Sequence, residues 1–378
     1  MTYVLSFITF LSVISVTLFG SHAFLYFSLR HFFVMGEGTK QIIVFSLVAL
    51  SLSFLVSSIL AHWYDTLFTR GFYYLSASWL GVLSNAFFIF AICWIVSGIF
   101  PILHIHIPLF YTGSVAIITL VLSSAYGLYN AANPIIREDT VYIENLPNNW
   151  EGKKIIQIND VHLGHIIRSD FAKQIVDMTM GINPAAVFIV GDLFDGMDGH
   201  LEGLLGPFNG FQSEYGTYFI TGNHETYLGT QKTLDIVKKT NIQIIDNKLV
   251  NLDGVQLIGI ASPERGMRQD VAKIMGQVGY DNTKPSIVLY HTPTEIDTFR
   301  KLGVSLQLAG HTHRGQLYPY NLLTQAIFRG YDFGVYHEGK YTLSVSSGVG
   351  TWGPPMRTNS RAEIVVLTLT GGKTTRKP

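Results

Sequence analysis

The chain has 378 residues, a formal net charge of zero, 14% charged residues and one cysteine. A lone cysteine, Cys93, excludes an intramolecular disulfide framework and a thiolate zinc site. Neutrality, with no basic run longer than Lys153-Lys154, excludes the electrostatic footprint of a nucleic-acid binder.

The N-terminal third is nearly free of charge. Up to Ile136 the only Asp, Glu, Lys or Arg residues are Arg30, Glu37, Lys40, Asp65 and Arg70, whereas the remainder has the charge density of a soluble domain. A helix crosses the hydrocarbon layer with roughly 20 mainly apolar residues, because lipid offers no partner to an unpaired backbone group. Stretches near 4–29, 41–61, 75–100 and 109–129 meet that requirement, and the domain boundaries expected are 1–132 for about four spans, 133–152 for a linker, 153–372 for a globular domain and 373–378 for a tail. No basic residue precedes Arg30 and the first apolar run is too long for a signal core, which argues against a cleaved leader. Cys93, inside the third stretch, reads as a small packing residue or a reactive thiol. No charge sits in the middle of a span, so a transport pathway is not indicated. His104 and His106, between Pro101 and Pro108, read as loop residues with no third ligand nearby. An even number of spans puts Arg70, Arg137, Lys153 and Lys154 on one side against Arg30 and Lys40 on the other, which favours a cytoplasmic globular domain.

From Lys154 onward short apolar runs alternate with helical patterns. KIIQI and AVFIV read as buried strands, and the run from Phe171 to Met180 reads as a helix with Phe171, Ile175 and Met178 on one face. The alternation continues through TYFIT, SIVLY and VSLQLA to a strand-rich end, so the domain is expected to be α/β with two packed sheets flanked by helices.

Residues suited to metal binding fall just after these strands. Asp160 and His162 follow KIIQI, Asp192 and Asp195 follow AVFIV, Asn223 and His224 follow TYFIT, His291 follows SIVLY, and His311 and His313 follow VSLQLA. Carboxyl ends of strands in open α/β sheets line the ligand crevice, so residues far apart in sequence can meet. In an extended run, residues two apart point the same way, which would let Asp160 with His162, and His311 with His313, act as pairs. Gathering so many such groups without a cation would be strongly unfavourable.

The ordered motifs DVH, GDLFD, GNHE, YH and GHTH resemble the signature of the calcineurin-like metallophosphoesterases over about residues 153–370. The resemblance implies a dinuclear centre, with Asp160, His162 and His313 on one metal, Asn223, His291 and His311 on the other, and Asp192 bridging. It implies that His224 contacts the substrate phosphate and protonates the leaving oxygen, while Asp195 orients its neighbours. Imidazole, carboxylate and amide donors without sulfur suit two divalent transition metal ions, Mn first and then Fe or Zn, rather than Ca or Mg. Close relatives commonly read GHTHGGQ, whereas this chain reads GHTHRGQ; Arg314 either clamps a second phosphate or points to solvent. Arg357, in PPMR, resembles an arginine of the family's closing loop and is a further substrate-binding candidate.

The expected function is therefore a membrane-bound hydrolase of phosphodiester or pyrophosphate bonds. Its expected partners are the bilayer and a phosphorylated lipid or lipid-linked nucleotide, in resemblance to the membrane-bound UDP-diacylglucosamine pyrophosphatases of lipid A synthesis, some of which belong to this superfamily. A broad phosphodiesterase or phosphatase with the spans as anchor is the second reading, and a non-catalytic metal-binding sensor or scaffold is the third. The apolar run from Leu201 to Phe211 reads either as a lid for an acyl chain or as a loop packing its own side chains.

Overall fold

The computed structural model describes residues 2–197, 201–264 and 266–372, with side chains in the first helix from residue 15 onward and at residue 12. The tail expected at 373–378 lies outside the described residues.

Four helices form the N-terminal unit: α1 (Thr2–Phe32), α2 (Glu37–Trp63), α3 (Leu67–Ile99) and α4 (Leu109–Ala132). Of the described residues, those in α2, α3 and α4 form helices long and apolar enough to cross a membrane. The first expected span lies within α1, and many of its side chains fall outside the described residues. Four of the five charges named above pair at helix ends: Lys40 Nζ lies 2.6 Å from Glu37 Oε1 and Arg70 Nε 2.5 Å from Asp65 Oδ1. Thr66 starts α3 by accepting the Thr69 N–H at 3.2 Å. Large apolar residues such as Phe45, Val48, Ile92, Ile118 and Leu122 face outward, while Ser51, Ser57, Asn85 and Ser124 are buried. That is the arrangement expected of helices in lipid, where small and polar residues mediate helix contacts. Asn85 Nδ2 donates to Ser124 Oγ at 3.3 Å. The segment Gly353–Thr358 belongs to this unit. Its Met356 is fully buried, and a Cβ at Gly81 would stand 3.1 Å from the Met356 sulfur.

The second unit is the α/β part of the chain. Its strands are β1 (Ile135–Tyr142), β2 (Lys154–Ile158), β3 (Ala186–Val190), β4 (Thr217–Ile220), β5 (Gln243–Ile244), β6 (Lys248–Leu252), β7 (Val255–Ile260), β8 (Ser286–Tyr290), β9 (Leu306–Ala309), β10 (Gly334–Glu338), β11 (Tyr341–Val345) and β12 (Glu363–Thr370). Its helices are α5 (Ser169–Met180), α6 (Asn223–Leu228), α7 (Thr230–Val237), α8 (Val271–Gln277), α9 (Ile296–Leu302) and α10 (Tyr320–Ile327). Two six-stranded sheets run in the orders β1-β12-β2-β3-β4-β5 and β10-β11-β9-β8-β7-β6. β2 to β5 are mutually parallel, as are β7, β8, β9 and β11.

The sheets stack face to face. Ile155, Phe188 and Val190 of one meet Leu257, Ile287, Leu289 and Leu308 of the other in a shared core. Alternate residues of the same strands, Ile156, Val187 and Ile189, pack outward against Ile175 of α5 and Val237 of α7. Val288 and Tyr290 pack against Met275 of α8 and Phe299 of α9. Strands covered on both faces explain why their sequences are continuous apolar runs. The expected two-sheet α/β architecture is the one observed.

Two expectations are corrected here. Residues 133–152 are not a linker: they hold β1, paired in parallel with β12 from Ile135 to Tyr142, and a 3₁₀ turn whose Trp150 is fully buried. The charges of REDTVY are paired, Arg137 bonding Asp139 and Glu363, while Val141 and Ile143 enter the core. The run from Leu201 to Phe211 is not a lid. Its 3₁₀ segment Glu202–Gly210 buries Leu204, Leu205 and Phe208 in the same cluster as Ala172, Ile175 and Val176 of α5. Burying those side chains removes apolar area from water that an open lid would leave exposed.

Candidate metal centre

Each proposed ligand sits just past the carboxyl end of a strand, from β2, β3 and β4 in one sheet and β8 and β9 in the other. The backbone there is not extended, contrary to the reading from spacing. Asp160, His162, Asp192, His311 and His313 all take positive φ, between 48° and 70°. Left-handed backbone disfavours side-chain-bearing residues and persists only where the surroundings hold it. They do so here: His162 N–H donates to Asp192 O at 3.1 Å, Gly350 N–H to Asp160 O at 2.8 Å, and His311 N–H to Asp160 Oδ2 at 3.0 Å. A Cβ on Gly348, itself at φ 82°, would stand 2.7 Å from the Asp160 Cβ, so glycine is required for that approach.

These turns bring the donors together. Asp160, His162 and His313 form one group, Asp192, His291 and His311 another, and His162, Asp192 and His224 a third, with the ligand atoms of each group within 4.8 Å of one another. His162 Nε2 and His313 Nε2 face each other at 3.0 Å, and His291 Nε2 lies 3.1 Å from both Asn223 Oδ1 and Asp192 Oδ2. His291 Nδ1–H donates to the Val190 carbonyl at 2.8 Å, which turns Nε2 toward the cluster. Every ligand predicted from the sequence is therefore in the cluster.

Electrostatics support cation binding. Burial raises the Asp192 pKa, but His291, His224 and His162 outweigh it and hold the carboxyl well below the usual range. His291 is pushed up to about 10, because Asp192 and Asp160 outweigh the burial that opposes its charge. Burial, helped by the charge of His291, lowers His311 to about 4. Two buried carboxylates, Asp160 and Asp192, set among imidazole nitrogens fit divalent cations, which would displace the proton that His291 holds.

His224 stands apart from the ligands in its partners. Its Nδ1–H donates to the Asp195 carbonyl at 2.7 Å, and its Nε2 lies 4.0 Å from Asp192 Oδ2. The exposed rings of Tyr227 and Trp352 flank it, with centroids at 5.2 and 6.3 Å. Asp195 thus orients His224 through its main chain, while its carboxylate lies 3.8 Å from His162 Nδ1. Burial pushes the Asp195 carboxyl up to about 8, with the Asp192 charge adding to it. The Arg314 guanidinium lies over the Phe333 ring at 4.3 Å. Arg357 is buried, belongs with the helical unit, and donates its N–H to Gly127 O at 2.9 Å.

Glu225 is the residue that sequence reasoning missed. It is fully buried, and its carboxylate accepts N–H bonds from Asp192 at 3.0 Å, Phe194 at 3.1 Å and Gly222 at 2.6 Å. It therefore pins the turn that carries Asp192 to the start of α6. Burial, then the Asp192 charge, pushes its carboxyl up to about 7.

Residues 153–315 match the family model for calcineurin-like phosphoesterases. An uncharacterised metallophosphoesterase of Campylobacter jejuni is 34% identical over 264 residues, covering 68% of this chain and 70% of that protein. An uncharacterised metallophosphoesterase of Helicobacter pylori strain J99 is 34% identical over 248 residues, 64% of this chain and 66% of its own. A transmembrane protein with metallophosphoesterase domain from Danio rerio is 32% identical over 273 residues, 67% of this chain and 61% of its own. The chain belongs to the calcineurin-like metallophosphoesterases, metal-dependent hydrolases of phosphoesters.

Proposed function

We propose that this chain hydrolyses a phosphodiester or pyrophosphate bond in a phosphorylated lipid or lipid-linked nucleotide at the membrane. In this reading Asp160, His162 and His313 hold one metal, Asn223, His291 and His311 the other, and Asp192 bridges them. The observation that carries it is the convergence of these donors from five strand ends beside His224. When bound, Mn, Fe or Zn ions supply Lewis acidity that neutralises charge on phosphate oxygens and lowers the pKa of water. His224, held by the Asp195 carbonyl, turns Nε2 toward the leaving oxygen and donates the proton that oxygen needs. Tyr227 and Trp352 border the space beside it, where the leaving group departs. The apolar helices support a lipid substrate, since a single span would tether a hydrolase of soluble esters.

The purified chain should carry about two transition metal ions, lose hydrolysis of an artificial phosphodiester on chelation, and recover best with Mn. Full activity in metal-free protein would refute the dinuclear reading. Substrate class is tested by comparing lipid-linked and deacylated forms of UDP-diacylglucosamine and of simpler phospholipids in detergent micelles with the whole chain. A large preference for the lipid form is expected. Equal rates would leave a broad phosphodiesterase with its helices as anchor.

A further inference from the structure

Helix α10 carries its apolar side chains on the outside. Leu322, Leu323 and Ile327 are 59%, 57% and 60% exposed, and the helix has no buried residue. The side toward the domain is polar, with Thr324 Oγ1 donating to Asp332 Oδ2 at 3.0 Å. A helix on a water-facing surface would be oriented the other way.

We propose that α10 is an interfacial helix that lies in the headgroup layer of the bilayer and seats the catalytic unit against the lipid. Leu322 with Ala326, and Leu323 with Ile327, form an apolar stripe at four-residue spacing, and exposed Tyr318 and Tyr320 precede it with the amphipathic rings favoured at that depth. Exposed Arg329 ends it, and no acidic residue lies from Arg314 to Tyr331, which suits an anionic surface. Only Asn133 and Pro134 separate the end of α4 from β1, so the covalent connection between the last apolar helix and the first strand is short. α10 also follows the His311–His313 turn, and Phe328 just beyond it returns to place its ring 6.0 Å from that of His311. A docked α10 therefore brings the metal centre to the headgroups.

The inference rests on the membrane association of the helices and not on the substrate proposed above, so its test reads contact and not hydrolysis. With Cys93→Ser as background, Leu322→Cys and, separately, Ile327→Cys are labelled with an environment-sensitive fluorophore in the whole chain in lipid nanodiscs. Both positions are exposed, so neither substitution threatens folding. Docking predicts loss of emission when the lipid is brominated along its acyl chains, together with protection from aqueous iodide. Quenching by iodide but not by brominated lipid would overturn the proposal. Protection from both would also overturn it, because protein, such as a second copy of this chain, would then cover the helix.

Discussion

His224 and His291 are indistinguishable by type and by their position after a buried strand, yet their hydrogen bonds separate them. His291 gives Nδ1–H to Val190 and points Nε2 at Asp192 and Asn223, whereas His224 keeps its Nε2 about 4.0 Å from the nearest Asp192 oxygen. The proposed roles predict that His224→Ala retains metal and loses roughly 100-fold or more in turnover, and that His291→Ala loses metal. Metal content measured beside kcat decides this, and the reverse pattern would sink the assignment. Glu225→Gln leaves one oxygen for the three backbone N–H groups that the carboxylate accepts from and sets an amide NH2 against at least one of them. It should cost about 1–3 kcal/mol of stability and weaken metal binding by roughly 10–100-fold. Denaturation and metal titration check this; no change in either would mean that the Asp192 turn is held by other contacts. The cluster of candidate ligands was legible because Asp, Asn and His set repeatedly at the ends of apolar runs are costly to bury together unless a cation takes up their lone pairs. Glu225 was not, because its partners are backbone groups that no motif reports.

At the scale of elements, the strands under the site could be read from β-branched runs such as KIIQI and AVFIV. β1 could not, since an edge strand needs only alternate buried residues and Arg137, Glu138 and Asp139 mask them. The left-handed ligand turns were also invisible, because positive φ at Asp or His leaves no composition signal comparable to glycine. The segment Glu202–Gly210 contains a glycine-rich, apolar run that lacks helical period and so looked detachable. Its burial makes a strong prediction: Phe208→Ala should destabilise the catalytic unit by about 3–5 kcal/mol. A melting curve of the detergent-solubilised chain reads the effect, and a loss well under 1 kcal/mol would show that the segment packs loosely.

For the whole molecule, the division into an apolar helical part and an α/β part was plain from charge alone, and only its boundary was misplaced. Divalent cations that bind the folded centre and not the unfolded chain stabilise it by mass action, about 2.7 kcal/mol at a hundredfold excess over Kd. Chelation should therefore lower the melting temperature of the catalytic unit while leaving the helical unit unchanged. A shift of both transitions together would show that the two units melt as one.

The place of β12 sets the order in which the protein can be made. It lies between β1 and β2, pairing with both, yet 204 residues separate the end of β2 at Ile158 from its own start at Glu363. Translation delivers α1 to α4 to the membrane first, then β1 with no neighbour and β2 with one edge bare, and both wait until β12 leaves the ribosome. Every nascent copy thus passes through a stage as an anchored, incomplete sheet whose open edge invites pairing with other chains. Synthesis that stops short of Glu363 leaves that stage permanent, giving membrane-bound fragments with an exposed strand edge for proteases and chaperones to find.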